Sequence, residues 1–148
     1  MRPFEYFEPK SVGEAVSLLG RYGNQANLLA GGTDLLVEIK EQLKAPDYVI
    51  NIKKIPDLDY LLFEEGTGLR FGSLTTIRRI ETSPVVAEKY AGLAQAASEV
   101  GSIQIRNRAT VAGNICRACP SADTLPPLIA DGARVKMVGS QGERTVLM

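Results

Sequence analysis

The apolar positions of this chain change their spacing several times, and each change marks an element. Ala15, Leu18, Leu19 and Tyr22 recur at helical spacing behind Ser11-Val12-Gly13-Glu14. A serine followed three residues later by a glutamate is the capping-box signal of a helix start, and Gly23 supplies the stop. Residues 26–30 read as a short buried strand running into Gly31-Gly32. Thr33 can then cap a helix with Leu35, Leu36, Ile39 and Leu43 on its apolar face. Pro46 ends that helix, and residues 48–52 read as another strand. Residues 1–57 thus form a small α/β unit.

Residues 58–148 follow a different grammar. Two strands, 60–64 and 69–72, are joined through Gly66-Thr67-Gly68, a hairpin signal. Ser83-Pro84 opens a helix with proline at its first position. Val86, Tyr90, Leu93, Ala94, Ala97 and Val100 give it one buried face as far as Gly101. A polar stretch, 104–108, leads to a second glycine-containing turn at Thr110-Val111-Ala112-Gly113-Asn114-Ile115. Residues 125–130 read as one or two helical turns, broken early by Pro126-Pro127. Residues 133–138 and 143–147 pair as a closing hairpin around Ser140-Gln141-Gly142. Its row at Ala133, Val135 and Met137 wants a covering layer, and its last strand leaves an edge.

Composition narrows the chemistry. Seventeen Lys and Arg balance seventeen Asp and Glu, so no field draws the chain to nucleic acid or an anionic membrane. Residues 1–6 lack the apolar core of a signal peptide, and no run is long enough to span a bilayer. A cytoplasmic protein is expected. The absence of histidine removes Ser-His-Asp and Cys-His catalysis and every zinc site that needs imidazole. With two cysteines besides, the chain is expected to borrow its chemistry from a cofactor; no residue receives a catalytic role.

The first turn, Ala30-Gly31-Gly32-Thr33-Asp34-Leu35, passes from strand through glycine to helix. That sequence gathers bare backbone N–H groups and suits an anion; an ordinary strand-to-helix turn reads the same way. It is no Walker loop, because no Gly-Lys-Ser/Thr follows. Gly66-Thr67-Gly68 has the wrong spacing for a Rossmann fingerprint and enters a strand. Cys116-Arg117-Ala118-Cys119 is a C-x-x-C, but two cysteines without histidine leave a tetrahedral metal site half filled, so no metal is expected; a thioredoxin-like redox pair and two reduced thiols beside a ligand loop are the other readings. Arg106, Arg108 and Arg117 can hold charge near a phosphate or be solvated surface residues. Asp123 can accept from a ligand's hydroxyls or cap the turn that follows it.

Taken together, the two turns, the segment Pro120-Ser121-Ala122-Asp123-Thr124-Leu125-Pro126-Pro127 and the opening Phe4-Glu5-Tyr6-Phe7-Glu8-Pro9 resemble the FAD-binding subunit of molybdenum hydroxylases. That family includes the medium subunits of xanthine dehydrogenase and carbon monoxide dehydrogenase. The resemblance implies an α+β, vanillyl-alcohol-oxidase-type fold with FAD extended between two α/β subdomains, here 1–57 and 58–148. It implies that Leu28, Leu29, Ala30, Gly31, Gly32, Thr33, Asp34 and Leu35, with Thr110, Val111, Ala112, Gly113 and Asn114, hold the pyrophosphate and its neighbours. Asp123 would bind farther along the cofactor.

It implies partners too: a molybdenum-cofactor subunit and a [2Fe-2S] subunit passing electrons to FAD, then to NAD or another acceptor. The family's chains continue past the position of Met148, so the second subdomain is expected to be incomplete and the chain by itself to hold FAD weakly. Two rivals stand beside this reading: a non-catalytic module for a phosphorylated ligand, and an assembly fragment that holds no cofactor alone. Amides of residues 31–34 and 113–114 are expected against the pyrophosphate, and Gly32→Val is expected to cost affinity without unfolding the domain.

Overall fold

The structure is a computed structural model and describes residues 2–148. Its first sheet has three parallel strands, β1 (Glu5–Phe7), β2 (Ala26–Leu29) and β3 (Tyr48–Asn51), in the order β1-β3-β2. Tyr48, Val49 and Ile50 pair with Glu5, Tyr6 and Phe7 on one side and with Ala26, Asn27 and Leu28 on the other. At three residues, β1 is too short to show an alternation, and the sequence pattern does not mark it.

Helix α1 (Val12–Tyr22) connects β1 to β2. The Ser11 hydroxyl accepts from the Glu14 N–H at 3.2 Å. The returning arm of the cap is displaced by one residue, with the Lys10 N–H donating to Glu14 Oε2 at 2.8 Å. The Tyr22 ring stacks on Tyr48 with centroids 3.8 Å apart, which fastens the helix end to the central strand. Helix α2 (Leu35–Lys40) is shorter than expected. Ile39 is buried, but Leu43 lies beyond the helix and is 76% exposed, so the four-leucine/isoleucine face does not form. Glu38 is buried in its stead.

The second half opens with the antiparallel hairpin β4 (Leu61–Glu64) and β5 (Gly68–Phe71), as the glycine pattern predicts. Six helices follow: α3 (Ile77–Glu81), α4 (Pro84–Lys89), α5 (Ala91–Glu99), α6 (Ile103–Arg106), α7 (Val111–Arg117) and α8 (Leu125–Ala130). The single helix expected after Ser83 is broken at Tyr90, whose backbone is non-helical at φ −136°, ψ 52°. Its hydroxyl instead accepts from the Leu69 N–H of β5 at 3.1 Å. The closing hairpin is β6 (Arg134–Gly139) and β7 (Gly142–Leu147).

Two main apolar cores result, beside a smaller cluster of Leu29, Ile39 and Val49. One gathers Ala15, Ala26, Ile50, Ile52, Ile55 and Leu74. The other gathers Ile77, Ile80, Val86, Leu93, Ala97, Val111 and Leu128, with Ala133 and Met148 against it. Leu74 comes from the second half yet packs in the first core, which fixes where the chain enters its helical part. There the Ile77 N–H donates to Ala109 O at 2.9 Å and the Val111 N–H to Thr75 O at 3.2 Å. This pairing carries Thr110 to the edge of the first sheet's C-terminal side.

Candidate functional site

The strand β2 ends in the turn that the glycines predict. Gly32 has φ +80°, in the left-handed region that favours glycine. The helical ladder of α2 starts with the Leu36 N–H on Gly32 O at 3.0 Å and the Glu38 N–H on Asp34 O at 2.9 Å. The amides of Gly32, Thr33, Asp34 and Leu35 therefore make no backbone hydrogen bond among the described residues. Lys53 steadies the turn from behind, its Nζ donating to Ala30 O at 3.1 Å. Burial, and then the charge of Arg108, hold the Lys53 pKa below its ordinary value.

Gly31 joins this turn to the other half. A Cβ at Gly31 would stand 2.1 Å from Arg108 O and 2.9 Å from Ala109 Cα. Only glycine lets the two backbones approach so closely. The second turn is not a glycine turn at all. Thr110 is the N-cap of α7, and its Oγ1 accepts from the Gly113 N–H at 3.0 Å. The Asn114 N–H donates to Thr110 O at 3.0 Å, and Val111 is tied to Thr75. The Gly113 and Asn114 amides are thus both engaged within the helix start. Gly32→Val is expected to strain the fold, since its φ is positive and a Cβ meets Leu29 Cδ1 at 2.8 Å.

Both turns line one cleft of ≈ 350 Å³. Leu28, Ala30, Gly31, Gly32, Thr33, Asp34 and Leu35 form one wall, and Thr110, Gly113 and Asn114 the other. Val100 and Ile105 give it an apolar end, while Glu38, Lys44, Cys116 and Arg117 give it a charged one. Leu29 and Val111 point into the cores. Ala112 is half-buried outside the lining, and Asp123 is exposed and also outside it. Thr124 is fully buried, its Oγ1 donating to Asn114 Oδ1, so the Asp123 segment orients Asn114 at the cleft wall.

The arginines take three separate parts. Arg106 is neither solvated nor in the cleft: it is buried on Glu81 at 2.8 Å and donates to Val100 O and Gly101 O. Arg108 offers its carbonyl to the close approach at Gly31. Arg117 reaches across to Glu38 at 3.0 Å. Cys116 and Cys119 are free and exposed. A hydrogen bond from the Ser121 side chain, then one from its backbone, favours the Cys119 thiolate and lowers its pKa. No group of three or more His, Cys, Asp or Glu that can hold a metal occurs among the described residues. Nor, among them, is any helix long and apolar enough to cross a membrane.

Glu38 and Lys44 carry no motif that marks them in the sequence. Asp34 and Glu38 stand four residues apart, so a helix from Thr33 puts both on one face, and that spacing was the available signal.

The family described as FAD binding domain in molybdopterin dehydrogenase matches residues 2–148. The chain belongs to this family. This FAD-binding domain is 39% identical to the nicotinate dehydrogenase FAD-subunit of Eubacterium barkeri over 97% of its length and 49% of the relative's. It is 41% identical to the carbon monoxide dehydrogenase medium chain of Hydrogenophaga pseudoflava, over 97% of its length and 50% of the relative's. A solved structure of the carbon monoxide dehydrogenase from that organism superposes with TM-score 0.93, covering 99% of this chain and 52% of that one. Quinoline 2-oxidoreductase from Pseudomonas putida 86 gives TM-score 0.91 at 27% identity, over 99% of this chain and 50% of that one. The FAD-binding domain therefore spans about half the length of the relatives it matches.

The cleft suits the phosphate-bearing part of FAD. Its turn leaves amides free to donate, and glycine at positions 31 and 32 lets the turn pack against Arg108 and Leu29 without a clash. Its volume sits at the small end of ligand sites, which run to about 1,000 Å³.

Proposed function

We propose that this chain is the part of a molybdenum hydroxylase's FAD subunit that grips the cofactor's diphosphate. Residues 1–57 and 58–148 act as two subdomains of a vanillyl-alcohol-oxidase-type arrangement with FAD extended between them. FAD, when bound, supplies the redox chemistry, taking electrons from a [2Fe-2S] partner subunit fed by a molybdenum subunit and passing them to NAD or another acceptor. The protein's own residues bind and orient. The free amides at Gly32, Thr33, Asp34 and Leu35 receive phosphate oxygens, Leu28, Ala30, Thr110, Gly113 and Asn114 shape the walls, and Leu29, Val111 and Ala112 hold those walls in register. Asp123 meets a more distant part of the cofactor, Cys116 and Cys119 carry no metal, and the complex works in the cytoplasm.

The single observation that carries this reading is the meeting of both turns on one cleft, with the Gly31 backbone against Arg108 and Ala109. A phosphate module without flavin preference would need only the first turn. The test is titration of the purified protein with FAD, FMN and ADP, followed by flavin fluorescence and calorimetry. FAD is expected to bind more tightly than FMN, which lacks the second phosphate. Equal affinity for FMN and FAD, or binding of ADP alone, refutes the proposal.

A further inference from the structure

Glu38 is a buried carboxylate held by two cations at once. Lys44 Nζ lies 2.9 Å from Oε2, and Arg117 Nη2 lies 3.0 Å from Oε1. The two partners are not equivalent. Lys44 is tethered beside Glu38 by its own backbone, since the N–H groups of Leu43 and Lys44 both donate to Glu38 O, at 2.8 and 3.2 Å. Arg117 arrives from the far side of the cleft as the last residue of α7, just before Ala118 turns the chain at φ 50°. Among the described residues, Arg117–Glu38 is the one ion pair that joins residues 1–57 to residues 58–148.

Removing one partner from a buried charge is costly when it leaves that charge alone. Glu38 would not be left alone, because Lys44 stays. Arg117 can therefore leave at small cost, and its side chain is 46% exposed toward solvent. Asp34, Glu38, Lys44 and Arg117 line the same cleft, and both of its cations are engaged on Glu38, so a phosphate entering it meets a free guanidinium only when Arg117 is released. Resting on the reading of the cleft as the diphosphate site, we infer that Arg117 is an exchangeable anion-binding residue. It leaves Glu38 for a phosphate of the cofactor, while Lys44 keeps the Glu38 carboxylate paired. A guanidinium suits this exchange, since its planar fork fits carboxylate and phosphate alike.

The test compares FAD and riboflavin affinities of the wild-type protein and four variants, each checked for folding by thermal melting. Arg117→Gln is expected to raise the Kd for FAD roughly tenfold and to weaken its salt dependence. Riboflavin, which has no phosphate, should bind unchanged. Glu38→Gln frees Arg117 and should tighten FAD about threefold. Lys44→Gln leaves Glu38 to Arg117 alone and should weaken FAD, and Lys44→Gln with Glu38→Gln should restore it. A Glu38→Gln variant that weakens FAD, or an Arg117→Gln variant that leaves FAD affinity unchanged, overturns the exchange while leaving the site itself intact. A wild-type protein that binds no FAD overturns the site and the exchange together.

Discussion

Replacing Gly31 by alanine tests how tightly the two halves are joined at the cleft. The added methyl would sit 2.1 Å from Arg108 O, 2.8 Å from Arg108 C and 2.9 Å from Ala109 Cα. All three are backbone atoms, so no side chain can swing aside. Ordinary contact begins near 3.4 Å, and the backbones must part by about 1.3 Å. Forcing extra volume into a packed site costs about 1–3 kcal/mol. For a domain of this size that lowers the melting temperature by about 4–12 °C.

Two internal controls share the chemistry but not the contact. Gly13 and Gly20 lie within α1, and nothing comes within 4 Å of the place a Cβ would take at either. Alanine at either should stabilise by about 0.5–1 kcal/mol, because glycine inside a helix loses more backbone freedom. Thermal unfolding followed by circular dichroism, with FAD titration of each folded variant, reads both effects. Gly31→Ala should melt lower and bind FAD less tightly, and Gly13→Ala and Gly20→Ala should melt higher with affinity unchanged. A Gly31→Ala protein melting at the wild-type temperature refutes the close approach.

Thr110→Val keeps the shape of a buried side chain but removes the hydroxyl that accepts from Gly113. It should cost about 1 kcal/mol, and urea unfolding showing no loss would remove Thr110 as the α7 cap. Burial raises the Glu81 pKa, but its bonds to Arg78 and Arg106 outweigh that and hold the carboxyl below its ordinary value. Its contribution to stability is complete above about pH 4.3 and disappears as the pH falls through the lowered value. The stability gap between wild type and Glu81→Gln should therefore shrink on acidification, and a gap that widens would contradict the assignment.

The sequence announces elements whose signals are local. Ser11 and Glu14 mark α1 because both arms of its cap lie within a few residues. Gly66 and Gly68, both with positive φ, mark the hairpin for the same reason. Where a distant partner decides, the pattern misleads. Tyr90 sits on a helical face by spacing, yet a hydrogen bond to a strand twenty-one residues earlier breaks the helix there. Leu43 belongs to the α2 face by spacing, but the backbone turns at Gln42, with φ 63°, and carries it into solvent. At the site, glycine spacing drew attention to two segments that line one cleft. It did not separate Gly31 and Gly32, which serve backbone approach and turning, from Gly113, which lies under a threonine cap. The Glu38 bridge was invisible because Arg117 is seventy-nine residues away.

The place of β3 bears on how the protein assembles as it leaves the ribosome. Both strands that flank it come earlier in the chain, so neither has a partner until Asn51 has emerged. Parallel pairing cannot begin with a tight turn, and the first two strands and their helices must wait, unpaired, for the third. Even then the wall of the cleft is unfinished. Its closing contact, Gly31 against Arg108 and Ala109, needs more than fifty further residues to be synthesised. At translation rates of about 5–20 residues per second, the first sheet stands for several seconds with one side of the binding cleft still missing. The cleft is thus built in two instalments, and a slow codon between them would lengthen the interval in which the nascent chain exposes its unfinished face.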